Sequence, residues 1–208
     1  MKSTIESFKS KLLKEKKEAE SESYQYFNND IRKIDPDKDG HNDEVDAFRH
    51  AYVSGVFAMK YGTYISKKLG DHHEEANPNP ESERNMDEWN NNVGRHYGSK
   101  AKNRNVLADM LKIALERGEL IIDLADPRKY SDVLDQNFDE EKPIVVLQED
   151  ENGRNQIFFD LLEGILMDSI TFVSLIESGE YSGYEVATIN SIATPKSKPD
   201  FTSGNNLG

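Results

Sequence analysis

The sequence predicts a mainly α fold: a helical core with an EF-hand-like calcium loop and a small β-hairpin-plus-helix C-terminal appendage. Three observations predict it. Apolar and small residues recur at helical spacing through the first 125 or so positions. The run Asp35-Pro-Asp-Lys-Asp-Gly-His-Asn-Asp-Glu-Val-Asp46 has the register of a calcium loop. Beyond residue 126 the texture changes to short β-like runs around an Asn152-Gly153 turn.

Taken in order, residues 3–32 form the first helix, with Ile5, Phe8, Leu12 and Leu13 near helical spacing and many Lys/Glu pairs. Its apolar stripe is thin, which fits an outer helix or loose arm. The Asp-rich loop follows, then a helix from about Glu44 to Tyr61. Ala47, Ala51, Gly55 and Ala58 line one side of that helix and permit close approach of a neighbour. A short helix is expected over Thr63 to Lys68, ended by Gly70. Asn77-Pro-Asn-Pro is a loop, because two prolines bar a helix there. Further helices are expected over Glu81 to Lys100 and over Asn105 to Arg117, the second closed by Gly118. Glu119 to Leu124 reads as a short strand. Pro143 to Gln148 and Gln156 to Phe159 form a hairpin, followed by a helix to Ile176. The expected organisation is thus a helical arm over 1–30, a helical core over 31–125, a mixed appendage over 126–192 and a disordered tail over 193–208.

Composition narrows the function. The 208 residues carry a formal net charge of -13, which argues against a protein that tracks a phosphate backbone, so nucleic acid is not an expected partner. There is no cysteine, which removes disulfides, thiolate zinc sites and cysteine nucleophiles. Met1 to Lys17 has no apolar segment of the signal-peptide kind. The most apolar stretch, Ile157 to Ile176, holds Asp160, Glu163 and Asp168 and so is not a membrane span. The expectation is a bacterial protein exported without a classical signal, with the cytoplasm as the alternative.

Four clusters carry chemistry. In the Asp-rich loop, Asp35, Asp37, Asp39, Asp43 and Asp46 fall at positions 1, 3, 5, 9 and 12, His41 at position 7, and Gly40 at the turning position 6. Calcium is therefore the expected cofactor. Asp46 stands where a bidentate Glu is usual, and Asp43 is equally placed to cap the following helix. In the second cluster, Asp46 and His50 are i and i+4 on that helix, with Arg49 beside them. An acid against a histidine raises its basicity, as a general base needs. The third cluster is Asp71, His73 and Glu74, expected in a loop after a helix end. The fourth is a helical stripe of Asp87, Asn90, Asn91, Gly94 and Arg95, beside an apolar stripe of Met86, Trp89, Val93 and Tyr97. Paired asparagines are poor helix formers, so the stripe reads either as a polar cleft or as a buried hydrogen-bond network.

Together, Asp46-Ala-Phe-Arg-His-Ala, Gly70-Asp-x-His-Glu74 and Met86-Asp-x-x-Asn-Asn-x-x-Gly-Arg95 resemble an uncharacterised bacterial helical domain family, often found in secreted or polymorphic-toxin-like proteins. The resemblance covers about residues 40–120. It implies a mostly helical fold and a polar cleft formed by Asp46, Arg49, His50, Asp71, His73, Glu74, Asp87, Asn90, Asn91 and Arg95. Family members often carry His where this chain has Trp89.

The leading expectation is an effector-like hydrolase of a cell-envelope substrate, either a phospholipid ester or peptidoglycan. His50 is its general base, His73, Glu74, Asp87 and Arg95 complete the catalytic set, and Arg49, Asp71, Asn90 and Asn91 bind substrate. Two alternatives stand beside it. One is a non-catalytic calcium-binding interaction module with an immunity or carrier protein as partner. The other is a metal-dependent nuclease or phosphodiesterase.

Overall fold

The computed structural model describes residues 4–27, 40–76, 79–131, 142–199 and 207, without the side chains of 27 and 72–76. The chain is mostly helical, with two small antiparallel sheets, and separates into two compact units: residues 13–134, and residues 1–12 with 135–208. The described helices are α1 (Thr4–Phe27), α2 (Glu44–Tyr61), α3 (Thr63–Ala76), α4 (Glu81–Gly98), α5 (Arg104–Glu116) and α6 (Ser169–Glu177).

In the helical unit, α2 is the central element. Its entry is fixed by Asp43, whose Oδ1 accepts from the backbone N–H groups of Val45 and Asp46 at 2.9 and 3.0 Å. That is the N-cap the helix needs for its unpaired first amides. Gly40, with φ +83, supplies the turn that brings Asp43 Oδ2 within 2.9 Å of its own N–H.

The small residues of α2 do what their spacing predicts. A Cβ at Gly94 would stand 2.0 Å from the Ala51 carbonyl oxygen, and one at Gly98 would stand 2.3 Å from that of Gly55. Helix α4 therefore lies directly on the α2 backbone. Stepping four residues along either helix moves four along the other in the same sense, so the two run parallel. Helix α3 carries the chain back between them, as a parallel pair requires. Phe48, Tyr52, Val56, Met86, Leu107, Leu111, Leu120 and Ile121 fill the core around this pair.

The second half of α1 belongs to this unit. Ala19 is fully buried in its core, and Glu22 accepts from the Tyr52 hydroxyl at 2.9 Å and from Arg104 Nη1 at 2.8 Å. The reach of α3 also differs from expectation. It runs through Gly70 to Ala76, so Asp71, His73 and Glu74 lie on a helix and not in a loop. Gly70 is not among the glycines with positive φ, and one such residue costs a helix only about 1 kcal/mol.

Leu120 and Ile121 are buried, but residues 119–124 form no strand. Side chains supply backbone partners to several groups here instead. Asn90 bonds both the N–H and the C=O of Ile121 (2.9 and 2.8 Å), and Arg128 reaches the carbonyls of Gly118 and Leu120 (2.7 and 3.0 Å). The residues have strand-like character without a strand neighbour.

In the second unit, β1 (Ile144–Glu149), β2 (Asn155–Asp160) and β3 (Leu166–Asp168) form one antiparallel sheet in the order β1-β2-β3. The Asn152-Gly153 turn falls where it was expected, with Gly153 at φ +74. Gln156–Phe159 lies in β2 as expected, but residues 160–168, expected to begin the helix, continue as the end of β2, a turn and β3. Only Ser169–Glu177 is helical, N-capped by the Asp168 carboxylate. The tail is corrected as well. β4 (Tyr184–Ile189) and β5 (Ile192–Ser197) form a second antiparallel hairpin that takes in the first residues of the expected tail, while residues 200–206 and 208 of it lie outside the described residues. Phe158, Met167, Phe172 and Tyr184 make this unit's core.

Candidate functional site

The parallel contact of α2 and α4 has two seams. One holds the small residues Ala51, Gly55, Gly94 and Gly98. The other is polar, and its rungs step together: His50 meets Asp87, and one turn on, the Ser54 hydroxyl donates to Asn91 Oδ1 at 2.8 Å.

The first rung gathers charged side chains from both helices. His50 Nε2 lies 3.4 Å from Asp46 Oδ1 and 3.3 Å from Asp87 Oδ1, so carboxylates from two helices converge on one imidazole nitrogen. Asp46 Oδ1 also pairs with Arg49 Nη2, while Asp46 Oδ2 accepts from the backbone N–H of Asn42 at 2.7 Å. Arg49 Nη1 reaches the Tyr24 hydroxyl on α1 at 3.0 Å, and Asn79 Nδ2 supports Asp87 Oδ2 at 3.2 Å. Asp46 and Asp87 are buried, whereas the His50 side chain keeps 21% of its surface exposed and gives the group an outlet.

Electrostatics follow from this placement. Burial disfavours the charged form of Asp46, but the hydrogen bond and charge of His50, the Asn42 amide and Arg49 outweigh it and hold the carboxyl below its usual range. Burial likewise opposes a charged His50, yet the bond to Asp46 and the charges of Asp87 and Asp46 win, so the imidazole is more basic than usual. For Asp87 burial prevails, assisted by the neighbouring Asp46, and its pKa is raised despite His50. The group is thus built to hold positive charge between two acids. Its three ligand atoms lie within 4.8 Å of one another, so Asp46, His50 and Asp87 could hold a metal ion.

A second group lies further along the seam. Arg95 is 2% exposed, and its Nε and Nη2 have no hydrogen-bond partner among the described residues. Glu88 Oε2, 3.9 Å from Nη2, is likewise unbonded. On α3, Lys67 Nζ pairs with Asp71 Oδ2 at 2.6 Å, and both charges act on Glu88. Burial first, and then Asp71, raise the Glu88 pKa.

The expected site residues therefore divide. Asp46, Arg49, His50 and Asp87 come together. Asp71 is engaged by Lys67, and Arg95 belongs to the second group. Asn91 is the acceptor of the Ser54 rung. Asn90 is corrected from substrate binder to structural clamp, because it is fully buried and both ends of its amide are spent on Ile121. His41 is exposed and faces Glu83 at 3.9 Å. Asp35, Asp37 and Asp39 lie outside the described residues, as do the side chains of His73 and Glu74. Glu88, Lys67 and Asn79 were not singled out from the sequence. The Lys67/Asp71 spacing of four and the Glu88/Arg95 spacing of seven were the available signals. Trp89 donates its indole N–H to the Glu119 carbonyl at 2.8 Å and carries Arg128 on its ring face.

A helical unit with a metal-capable Asp–His–Asp group on two parallel helices is the class that the fold and site define. The chain belongs to the family described as a domain of unknown function (DUF6973), whose model matches residues 6–119. That span contains both groups on the polar seam. No curated protein and no solved structure matches the chain. Among the described residues, no helix is long and apolar enough to cross a membrane.

Proposed function

We propose that the chain is a bacterial effector-like hydrolase acting on a cell-envelope substrate, with Asp46, His50 and Asp87 as its working group and a divalent cation as its cofactor. One observation carries the reading: two buried carboxylates from different helices aim at the same imidazole nitrogen. In a hydrogen-bonded histidine base, the acid usually holds one ring nitrogen and leaves the other for substrate. Here both acids crowd Nε2, as ligands around a cation do.

One imidazole and two carboxylates suit zinc, manganese or iron better than calcium, which takes six to eight oxygens. A bound cation of this kind supplies Lewis acidity toward a carbonyl or phosphoryl oxygen. The chain's own residues do the rest. The Asn42 amide and Asn79 fix the outer carboxylate oxygens, and Arg49 lies 3.3 Å from His50 Nε2, where it can offset developing negative charge. The net charge of -13 favours an envelope substrate over nucleic acid.

The Asp-rich loop is proposed as a separate calcium element of the EF-hand kind. Asp43 and Asp46 are engaged at the helix start and at His50, so calcium there has to compete with bonds already made. Expression in the bacterial periplasm and cytoplasm, wild type against His50→Ala, tests the function. Periplasm-only toxicity abolished by the substitution is the expected result. Absence of toxicity in both compartments removes the envelope hydrolase reading.

A further inference from the structure

The unbonded guanidinium atoms of Arg95 are not a random pair. Nε and Nη2 form the side-on edge of the guanidinium, the two parallel donors that take an acceptor bidentately. Leaving this edge unpaired in a buried residue is costly, and native proteins rarely do so. The facing atom, Glu88 Oε2, is an unbonded acceptor 3.9 Å from Nη2. Direct bonding needs a shorter approach, but one small polar group between them bonds both at about 2.8–3.0 Å.

Charge says what kind of group fits. Arg95 faces Glu88 and Lys67 pairs with Asp71, so each of these cations stands against an anion, while Arg84 adds a further positive charge felt by Glu88. An oxyanion would gain Arg95 and meet the Glu88 carboxylate. A neutral group that accepts on one side and donates on the adjacent one satisfies both. A carboxamide has that arrangement: its oxygen suits the Arg95 edge and its N–H suits Glu88.

We propose that Arg95 and Glu88 form a subsite that recognises an amide group of the substrate. Arg95 follows Asp87 by eight residues on one helix face, about 12 Å of axial rise. The substrate is then an amide-bearing chain that reaches from the subsite to the Asp46–His50–Asp87 group, which among envelope materials means glycopeptide and not phospholipid. This extends the hydrolase reading by naming its substrate class, while binding at the subsite stands or falls without catalysis.

The test is a titration of the full chain with N-acetylglucosamine oligomers and, separately, inorganic phosphate at matched ionic strength. The Arg95 Nε–Hε resonance is the readout, in wild type and in His50→Ala. A saturable shift with the acetamido ligand in both proteins, and none with phosphate, is expected. Arg95→Lys, followed by calorimetric titration because it has no Nε–Hε resonance, keeps the charge but loses the side-on edge, and weakens acetamido binding roughly tenfold or more. Glu88→Gln removes the opposing charge and lets phosphate bind. A saturable phosphate response in wild type overturns the amide assignment, and no response to either ligand overturns the subsite. Toxicity lost in His50→Ala while the shift persists separates the two proposals. Because the resonance is read in wild type, a variant that fails to fold leaves the test intact.

Discussion

The two ends of the polar seam are built from the same helices but on opposite principles. At the Asp46–His50–Asp87 end, both oxygens of each carboxylate have partners, and supports arrive from Asn42, Arg49 and Asn79. At the Glu88–Arg95 end, three buried polar atoms have none among the described residues. The first is a site held in place before anything binds. The second bears an electrostatic cost that only an added partner removes. Supported groups position reacting atoms, and unpaired ones select what comes near them.

The largest effect comes from disturbing the contact on which both ends depend. Gly94→Val drives its side chain into the Ala51 backbone, and is expected to cost about 3 kcal/mol in chemical denaturation. Both ends should lose their signatures together; loss at one end alone would show that α2 and α4 are not one rigid frame.

The second experiment separates the ends. Replacing the Glu88 and Arg95 pair by Leu and Met removes unpaired polar atoms from a buried place, and should leave stability unchanged or raise it by about 1 kcal/mol. Asp87→Asn acts at the supported end and should lower stability by about 1 kcal/mol. Equal losses from both changes would erase the distinction.

The smallest effect is a titration. His50 is more basic in the folded chain, so its stabilising contribution is complete below its ordinary value of 6.5 and is lost as pH rises through the higher folded value. Asp46 has the opposite sense. Its contribution is complete above its ordinary value of 3.8 and is lost as pH falls through its depressed folded value. The His50 ring resonances should titrate above the ordinary value in wild type and move down in Asp87→Asn. An unchanged midpoint would mean that Asp87 does not share the imidazole.

Much of this was legible in the sequence. Glu44–Tyr61 is helical over the expected bounds, because Asp43 provides a cap and Gly62 an end. The Asp46/His50 pair follows from helical spacing, and the Ala51/Gly55 stripe announced a close neighbour. What spacing could not show was which neighbour. That Asp87 faces His50 depends on α4 lying parallel on α2, a relation set by Gly94 and Gly98. Asn90 and Asn91 are adjacent and chemically alike, yet one clamps Ile121 and the other receives Ser54. Only the packing separates them. β5 was missed because Thr194, Pro195 and Lys196 are poor in apolar character, and their strand exists through pairing with β4.

The central claim is that Asp46, His50 and Asp87 hold a cation. Thermal unfolding of the full chain with zinc, manganese and calcium in turn, against chelator, tests it most directly when repeated on Asp87→Asn. The account predicts that zinc or manganese raises the melting temperature of wild type and that the rise is lost in Asp87→Asn. No rise with any of the three, or the same rise in the variant, would contradict it.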